Sequence, residues 1–220
     1  MLVAEKKKTD LEERNSKRDA GRHYYRQSRF SLVPMLNQII SLLLQVAFGL
    51  VVGACLLRLY MQYQRVAMSA RSGNPLGPLI FALTDWLVLP LRRVIPSMGR
   101  WDSASLVAAY LLELIQFMLF WLLAGAHASA VSIPMVAAFA LVHLALSALS
   151  GLVIIYAVLS WVQTESPMAD VIGRMVAPLL KPIRRVVPLV GGVDLSPLVL
   201  LVLLQVVGIM LETLQVSLRV

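Results

Sequence analysis

From Leu36 to Leu57 the chain carries no charged residue. About 20 apolar residues suffice to cross a hydrocarbon core roughly 30 Å thick, so this stretch predicts a first transmembrane helix. Three more charge-poor runs follow: Ala104 to Ala126, interrupted by Glu113; Pro134 to Trp161, containing His143; and Leu195 to Leu218, containing Glu212. The connection between the second and third, GAHASAVS, is short and has no full charge, though it includes His127. The other two connections carry shorter helical patterns. Asn74 and Ser166 are good helix N-caps, each followed by a proline at the first helical position. In the first pattern Leu79, Leu83, Trp86 and Val88 alternate with Thr84 and Asp85; in the second Val171, Ile172, Met175 and Leu179 alternate with Asp170 and Arg174. At about 12 to 15 residues to the next proline, both are too short to span and suit an interfacial or re-entrant amphipathic helix. Pro90 and Pro182 are expected to break or kink them, with Pro96 and Pro188 ending the second pieces.

These two connections are copies of each other. Residues 90–96 read PLRRVIP and residues 182–188 read PIRRVVP, 92 positions later. The same offset places Asn74-Pro75-Leu76 on Ser166-Pro167-Met168, Gly99 on Gly191, and Asp102 on Asp194, without a gap. An in-phase match through prolines, arginines, a glycine and an aspartate marks an internal repeat. The spans that open the repeats align at an offset of 98, with Gln62-Tyr63 on Ser160-Trp161, so the first copy carries a six-residue insertion within Gln64 to Gly73. Two spans per repeat return the chain to the side it left. The expected fold is an all-α membrane protein of four transmembrane helices in two parallel repeats, related by a pseudo-twofold axis along the membrane normal. The segments are 1–34, a basic tail; 35–126, repeat 1; 127–133, a linker; and 134–220, repeat 2.

Composition supports a membrane solvent: 59% of residues are hydrophobic and 15% charged, with a mean hydropathy of +0.77, against roughly 45–50% apolar and 25% charged in soluble domains. The single Cys55 excludes an intrachain disulfide and any cysteine-pair metal or haem-attachment motif. Residues 1–30, with nine Lys or Arg and five Asp or Glu, read either as a disordered tail that touches anionic lipid or as an over-extended start ahead of Met35. The motif loops hold ten basic residues: Arg58, Arg65, Arg71, Arg92, Arg93, Arg100, Arg174, Lys181, Arg184 and Arg185. The opposite loop holds none, so the positive-inside rule places the motif loops in the cytoplasm and both termini outside. The tail's nine bases argue the reverse, but the loop charges lie close to the spans and do not depend on the start.

Two constellations could carry function. Arg92, Arg93, Arg184 and Arg185 could form two symmetric anion sites, because guanidinium matches phosphate with paired hydrogen bonds. They could equally fix topology and hold the short helix at headgroup level. Asp102 and Asp194 sit just ahead of the next spans, where a carboxylate favours the positive end of the helix dipole. Inside the spans, Glu113 aligns with Gln205 and Gln45 with His143, one polar side chain per helix near midplane depth. A proton or ion path through Glu113 and His143 is one reading, and a hydrogen-bonded seam joining the helices is the plainer expectation. No arrangement typical of an enzyme, metal site or cofactor site is legible, and no aromatic-interleaved basic patch points to nucleic acid.

The paired P-[LI]-R-R-V-[IV]-P motifs, each followed by a glycine and an aspartate, with RLYMQY before the first and LSWV before the second, resemble the YggT family of bacterial membrane proteins. The resemblance covers residues 35–218. GGVDLSP in the second copy follows the family pattern closely, whereas the first has GRWDSAS, without the proline. It implies association with osmotic stress tolerance, cell-division gene neighbourhoods, or cytochrome assembly and nucleoid organisation in chloroplasts. The overall expectation is a non-enzymatic assembly or scaffold factor that engages anionic lipid headgroups and a membrane protein partner through its motif loops, as a homo-oligomer or a subunit of a larger complex. The alternative is a small transporter or channel component using the midplane set.

Overall fold

A computed structural model describes residues 35–69, 74–95, 101–126, 130–162, 166–187 and 194–218. The basic tail, Arg71, Pro96, Gly99, Arg100, His127, Pro188 and Gly191 lie outside the described residues. The chain divides into two compact units, Met1–Gln45 and Val46–Val220, and the packing below concerns the second.

Among the described residues, four helices are long and apolar enough to cross a membrane: α1 (Met35–Tyr63), α3 (Ser103–Leu123), α4 (Ile133–Val162) and α6 (Ser196–Leu218). Between them in chain order lie α2 (Leu76–Val94) and α5 (Pro167–Arg184), with a 3₁₀ turn at Ala130–Ser132 before α4. The order is the one the repeat predicts, span, motif helix, span, twice over. Much of the spans' apolar surface faces outward, as at Leu50, Leu122, Ile154 and Ile209. That is the arrangement lipid solvates, provided every backbone group is satisfied within its helix.

Among the described residues the core has three clusters, two of which join residues of both repeats. Val52 and Cys55 of α1, Val88 of α2, Ala104, Ala108 and Leu112 of α3 and Leu141 of α4 form one cluster. Ala104, Ala108 and Leu112 recur every four residues, so the alanines let neighbouring helices approach closely. Val153 of α4, Ile172, Val176 and Leu180 of α5 and Leu200 of α6 form the second cluster. A third, from Met61, Ile80, Val171 and Met175, joins α1 and α2 to α5. The Tyr60 hydroxyl reinforces this junction by donating to the Met175 carbonyl at 2.7 Å.

Sequence and structure differ at three places. First, α1 does not stop at Leu57 but continues through Arg58 to Tyr63, because Arg58 is neutralised inside the protein, as described below. Second, α2 and α5 are not broken at Pro90 and Pro182 but continue past them, reaching 19 and 18 residues. An interior proline removes one helical hydrogen bond and crowds the carbonyl four residues earlier. Here Pro90 and Trp86, and Pro182 and Pro178, are all exposed, so that carbonyl can tilt outward while the buried face stays packed. Third, α2 begins at Leu76 with Pro75 as its cap residue, and Asn74 instead accepts from Leu76 N at 3.0 Å and donates to the Ala67 carbonyl at 2.9 Å. Ser166 does cap α5, accepting from Ala169 N at 3.2 Å.

The outward faces of the two motif helices are opposites. In α5, Val171, Ile172, Met175, Val176 and Leu180 are buried while Asp170, Arg174 and Lys181 are exposed. In α2, Leu79, Leu83, Trp86 and Leu89 are exposed while Thr84 is buried.

Candidate functional site

In each repeat the first arginine of the motif reaches an aspartate ten residues on. Arg92 lies in the last turn of α2 and Asp102 is the N-cap of α3. Arg92 Nη2 donates to Asp102 Oδ2, and Nε donates to Oδ1 at 3.4 Å. In the second copy Arg184, in the last turn of α5, donates from Nε to Asp194 Oδ2 at 2.8 Å. Each pair ties the carbonyl end of a motif helix to the amide end of the next span, with the cation and anion each at the dipole end that favours it. The structure therefore brings together Arg92 with Asp102 and Arg184 with Asp194.

Around this shared clamp the repeats diverge. Asp102 has no exposed surface. It accepts from Ser105 Oγ at 2.6 Å and caps Ser105 N at 3.4 Å, and Arg92 Nη2 also donates to Gln62 Oε1 at 3.2 Å. Arg58 approaches the same carboxylate, Nε to Oδ2 at 3.8 Å, and its side chain is only 3% exposed. Its Nη1 donates to Thr84 Oγ1 at 2.7 Å and to Asp85 Oδ1 at 2.6 Å, and its guanidinium carbon lies 4.9 Å from the centre of the Phe81 ring. This is a four-charge network of Arg58, Arg92, Asp85 and Asp102, screened from water on most sides. In repeat 2, Arg184 and Asp194 are 42% and 25% exposed, and Tyr156 OH is bonded by Arg184 Nη2 at 2.8 Å. At the 98 offset Tyr156 occupies the place of Arg58, and at the 92 offset Val176 and Ala177 occupy those of Thr84 and Asp85.

The carboxyl groups titrate accordingly. Burial pushes Asp102 up, but the hydrogen bonds from Arg92 and Ser105 and the Arg92 charge outweigh it and hold the carboxyl below the usual range. For Asp194, burial again acts upward and is overcome by the bonds from Ser196 and Arg184. Arg184 is moved up: burial opposes its charge, and Tyr156 and Asp194 more than compensate.

The second arginines are placed differently. Arg93 and Arg185 are both exposed, and neither side chain has a hydrogen bond or ion pair among the described residues. Arg93 sits in the last turn of α2 and Arg185 is the cap residue of α5, so both project from helix ends fixed by the clamps.

The midplane set is not gathered into one place. Glu113 is buried on α3 with Gln116 three residues on, Gln205 is exposed on α6, and no hydrogen bond or ion pair joins Glu113, His143 and Gln205 among the described residues. Gln45 belongs to the first unit. His143 meets Glu212 instead, Nε2 to Oε1 at 3.4 Å.

The family model described as CCB3/YggT matches residues 36–123 and 135–215, one match per repeat. The chain belongs to the CCB3/YggT family. It is 35% identical over 168 residues to "Uncharacterized protein in proC 3'region" of Vibrio alginolyticus, covering 75% of this chain and 89% of that one. It is 33% identical over 171 residues to "Uncharacterized protein YggT" of Escherichia coli strain K12, covering 77% of this chain and 87% of the relative. A Pseudomonas aeruginosa protein is 34% identical over 167 residues, covering 74% and 83%. None of these names assigns an enzymatic activity. No solved structure matches the chain.

Proposed function

We propose that this family member is a non-enzymatic scaffold or assembly factor of a bacterial inner membrane, whose two motif loops, on the cytoplasmic face, hold anionic headgroups and dock a membrane protein partner. The observation that carries the reading is the division of labour in each RR pair. Arg92 and Arg184 are consumed by Asp102 and Asp194, whereas Arg93 and Arg185 are exposed and unpaired among the described residues. A guanidinium on a fixed helix end loses less freedom when it binds phosphate bidentately. The exposed Leu79, Leu83 and Trp86 of α2 supply an apolar face beside one of these cations, and Asp170, Arg174 and Lys181 of α5 supply a charged face beside the other. The associations implied by the family, osmotic tolerance, cell division and cytochrome assembly, are processes in which such a factor would serve.

The test is in-cell crosslinking from a photoreactive residue at Trp86 or Arg174, in the native chain and in an Arg93→Gln, Arg185→Gln variant that inserts normally. A reproducible protein partner from both positions, weakened in the variant, is the expected result. Lipid adducts alone, unchanged by the variant, would refute it. A transporter reading is favoured by one observation, the buried Glu113 with no partner among the described residues. It predicts a flux in proteoliposomes that Glu113→Gln abolishes.

A further inference from the structure

His143 Nε2 and Glu212 Oε1 lie 3.4 Å apart on the outside of the spans. Their side chains are 52% and 65% exposed, on α4 and α6. Both helices are among those long and apolar enough to cross a membrane. Glu212 lies six residues before Leu218, about 9 Å from the end of α6 at 1.5 Å per residue. His143 lies ten residues after Ile133, about 15 Å from the start of α4. A centred α6 of about 34 Å overhangs a 30 Å hydrocarbon core by only about 2 Å at each end, so Glu212 is within the hydrocarbon. Ionisable residues at such depth face a protein interior or a water-filled cavity, not acyl chains, which offer neither hydrogen-bond donors nor acceptors.

The pair is not alone on its face. Gln205 is exposed seven residues before Glu212, two helical turns away on the same side of α6. Between them, Gly208 leaves open space: a Cβ added there would meet nothing within 4 Å. Gly208 is therefore not required by packing within this chain, and it would let another helix approach closely. We propose that the surface carrying His143, Gln205 and Glu212 is covered in the membrane by the same surface of a second copy, giving a two-fold dimer closed by reciprocal hydrogen bonds among these side chains.

The chemistry selects a second copy over other occupants. An imidazole and a carboxyl together offer both a donor and an acceptor, and a glutamine amide pairs with another glutamine amide. A two-fold axis beside this face sets each group opposite its complement, which is the isologous arrangement of most homodimers. A lipid satisfies none of these groups. A different protein would need a matching set of its own. The inference stands apart from the lipid reading of the arginines, since it uses neither motif loop.

The full chain, labelled through a fluorescent fusion and reconstituted at low protein-to-lipid ratio, should bleach in two steps per spot. His143→Leu with Glu212→Leu should raise the dimer dissociation constant at least tenfold while leaving helix content unchanged. In a Cys55→Ser background, Gly208→Cys should give oxidant-induced dimers and Leu122→Cys, 57% exposed on α3, should not. Single-step bleaching of the native chain would overturn the proposal. So would crosslinking of Leu122→Cys equal to that of Gly208→Cys, an unchanged dissociation constant in the double variant, or stable association of this face with a different membrane protein.

Discussion

Replacing Asp102 and Asp194 separately by Asn measures what the clamp contributes in each repeat. Asn remains a good N-cap, so the cap interaction with the following amide survives and the change reports mainly on charge. At Asp102 the carboxylate is fully buried and bonded by Arg92 through two nitrogens and by Ser105 Oγ. Bonds to a charged group contribute about 1.5–3 kcal/mol each, and breaking a buried pair costs about 3–5 kcal/mol. No bare charge is stranded, because Arg58 keeps Asp85 and Thr84, and Arg92, 35% exposed, can turn to water. The cost should therefore fall at the low end, about 3 kcal/mol. Asp194 and Arg184 are 25% and 42% exposed, where an ion pair contributes at most about 1 kcal/mol. Reversible unfolding of the purified chain in mixed micelles with rising SDS, followed by helicity and tryptophan fluorescence, gives both values. Equal losses from the two variants, or a loss below about 1 kcal/mol for Asp102→Asn, would refute the assignment of a buried network to repeat 1.

Both carboxyls are held below their usual range, so the stability they confer is complete above the ordinary value near 3.9 and is lost as pH falls through the lower folded values. The same unfolding assay should show no contribution from these groups to pH dependence between about pH 7 and 5 and a decline below about pH 4, smaller in Asp102→Asn. Gly77→Ala should destabilise by about 1–3 kcal/mol, because a Cβ there would overlap the Met68 carbonyl and lie 2.8 Å from its carbon. Ala169, its counterpart in repeat 2 at the 92 offset, should tolerate Gly at a cost of about 1 kcal/mol from helix propensity alone. Arg65, two residues past the end of α1, has φ 56° in a turn where Val66 N bonds the Met61 carbonyl at 2.9 Å. Arg65→Gly should raise stability by about 1 kcal/mol, unless the side chain has a role that the unfolding assay does not see.

The spans were legible because a membrane helix is specified by a long run of one property, and their ends fall within a few residues of the charge-free runs. The exception, α1, shows the limit. Arg58 reads as the start of a loop when charge is taken as a boundary, and its burial becomes visible only once Thr84, Asp85 and Asp102 are seen to surround it. The repeat offset singled out both arginines and both aspartates, yet an offset compares positions between copies and says nothing of contacts within one. The same alignment did hold a signal for the third partner: Arg58 falls on Tyr156 at the 98 offset, and both side chains enter the clamp. The helices' continuation through Pro90 and Pro182 was not legible, since local propensity disfavours it and only the packed opposite face, with Val88 and Leu180 buried, supports it.

The divergence of the outer faces follows from the choice of that third partner. Arg58 in repeat 1 is a full charge in the protein interior, and satisfying it turns Thr84 and Asp85 of α2 inward. The polar residues of α2 are thereby used, and its outward positions at Leu79, Leu83 and Trp86 are apolar. Tyr156 in repeat 2 needs one hydrogen bond, which Arg184 supplies, so Val176 can pack in the core and the polar residues of α5 face outward. The insertion in repeat 1 reinforces the difference, because its Met68 backbone lies against α2 where Gly77 admits it. Two helices with the same motif thus present their second arginines in unlike settings, Arg93 on α2 with its apolar outward face and Arg185 at the end of α5 with its charged one. A phosphate held by Arg93 would sit where acyl chains can also be covered, whereas one held by Arg185 would lie one helical turn from the exposed Lys181 and open to bulk water. Salt should therefore weaken any binding at Arg185 more than at Arg93, since screening acts on exposed charges and leaves buried apolar contact intact.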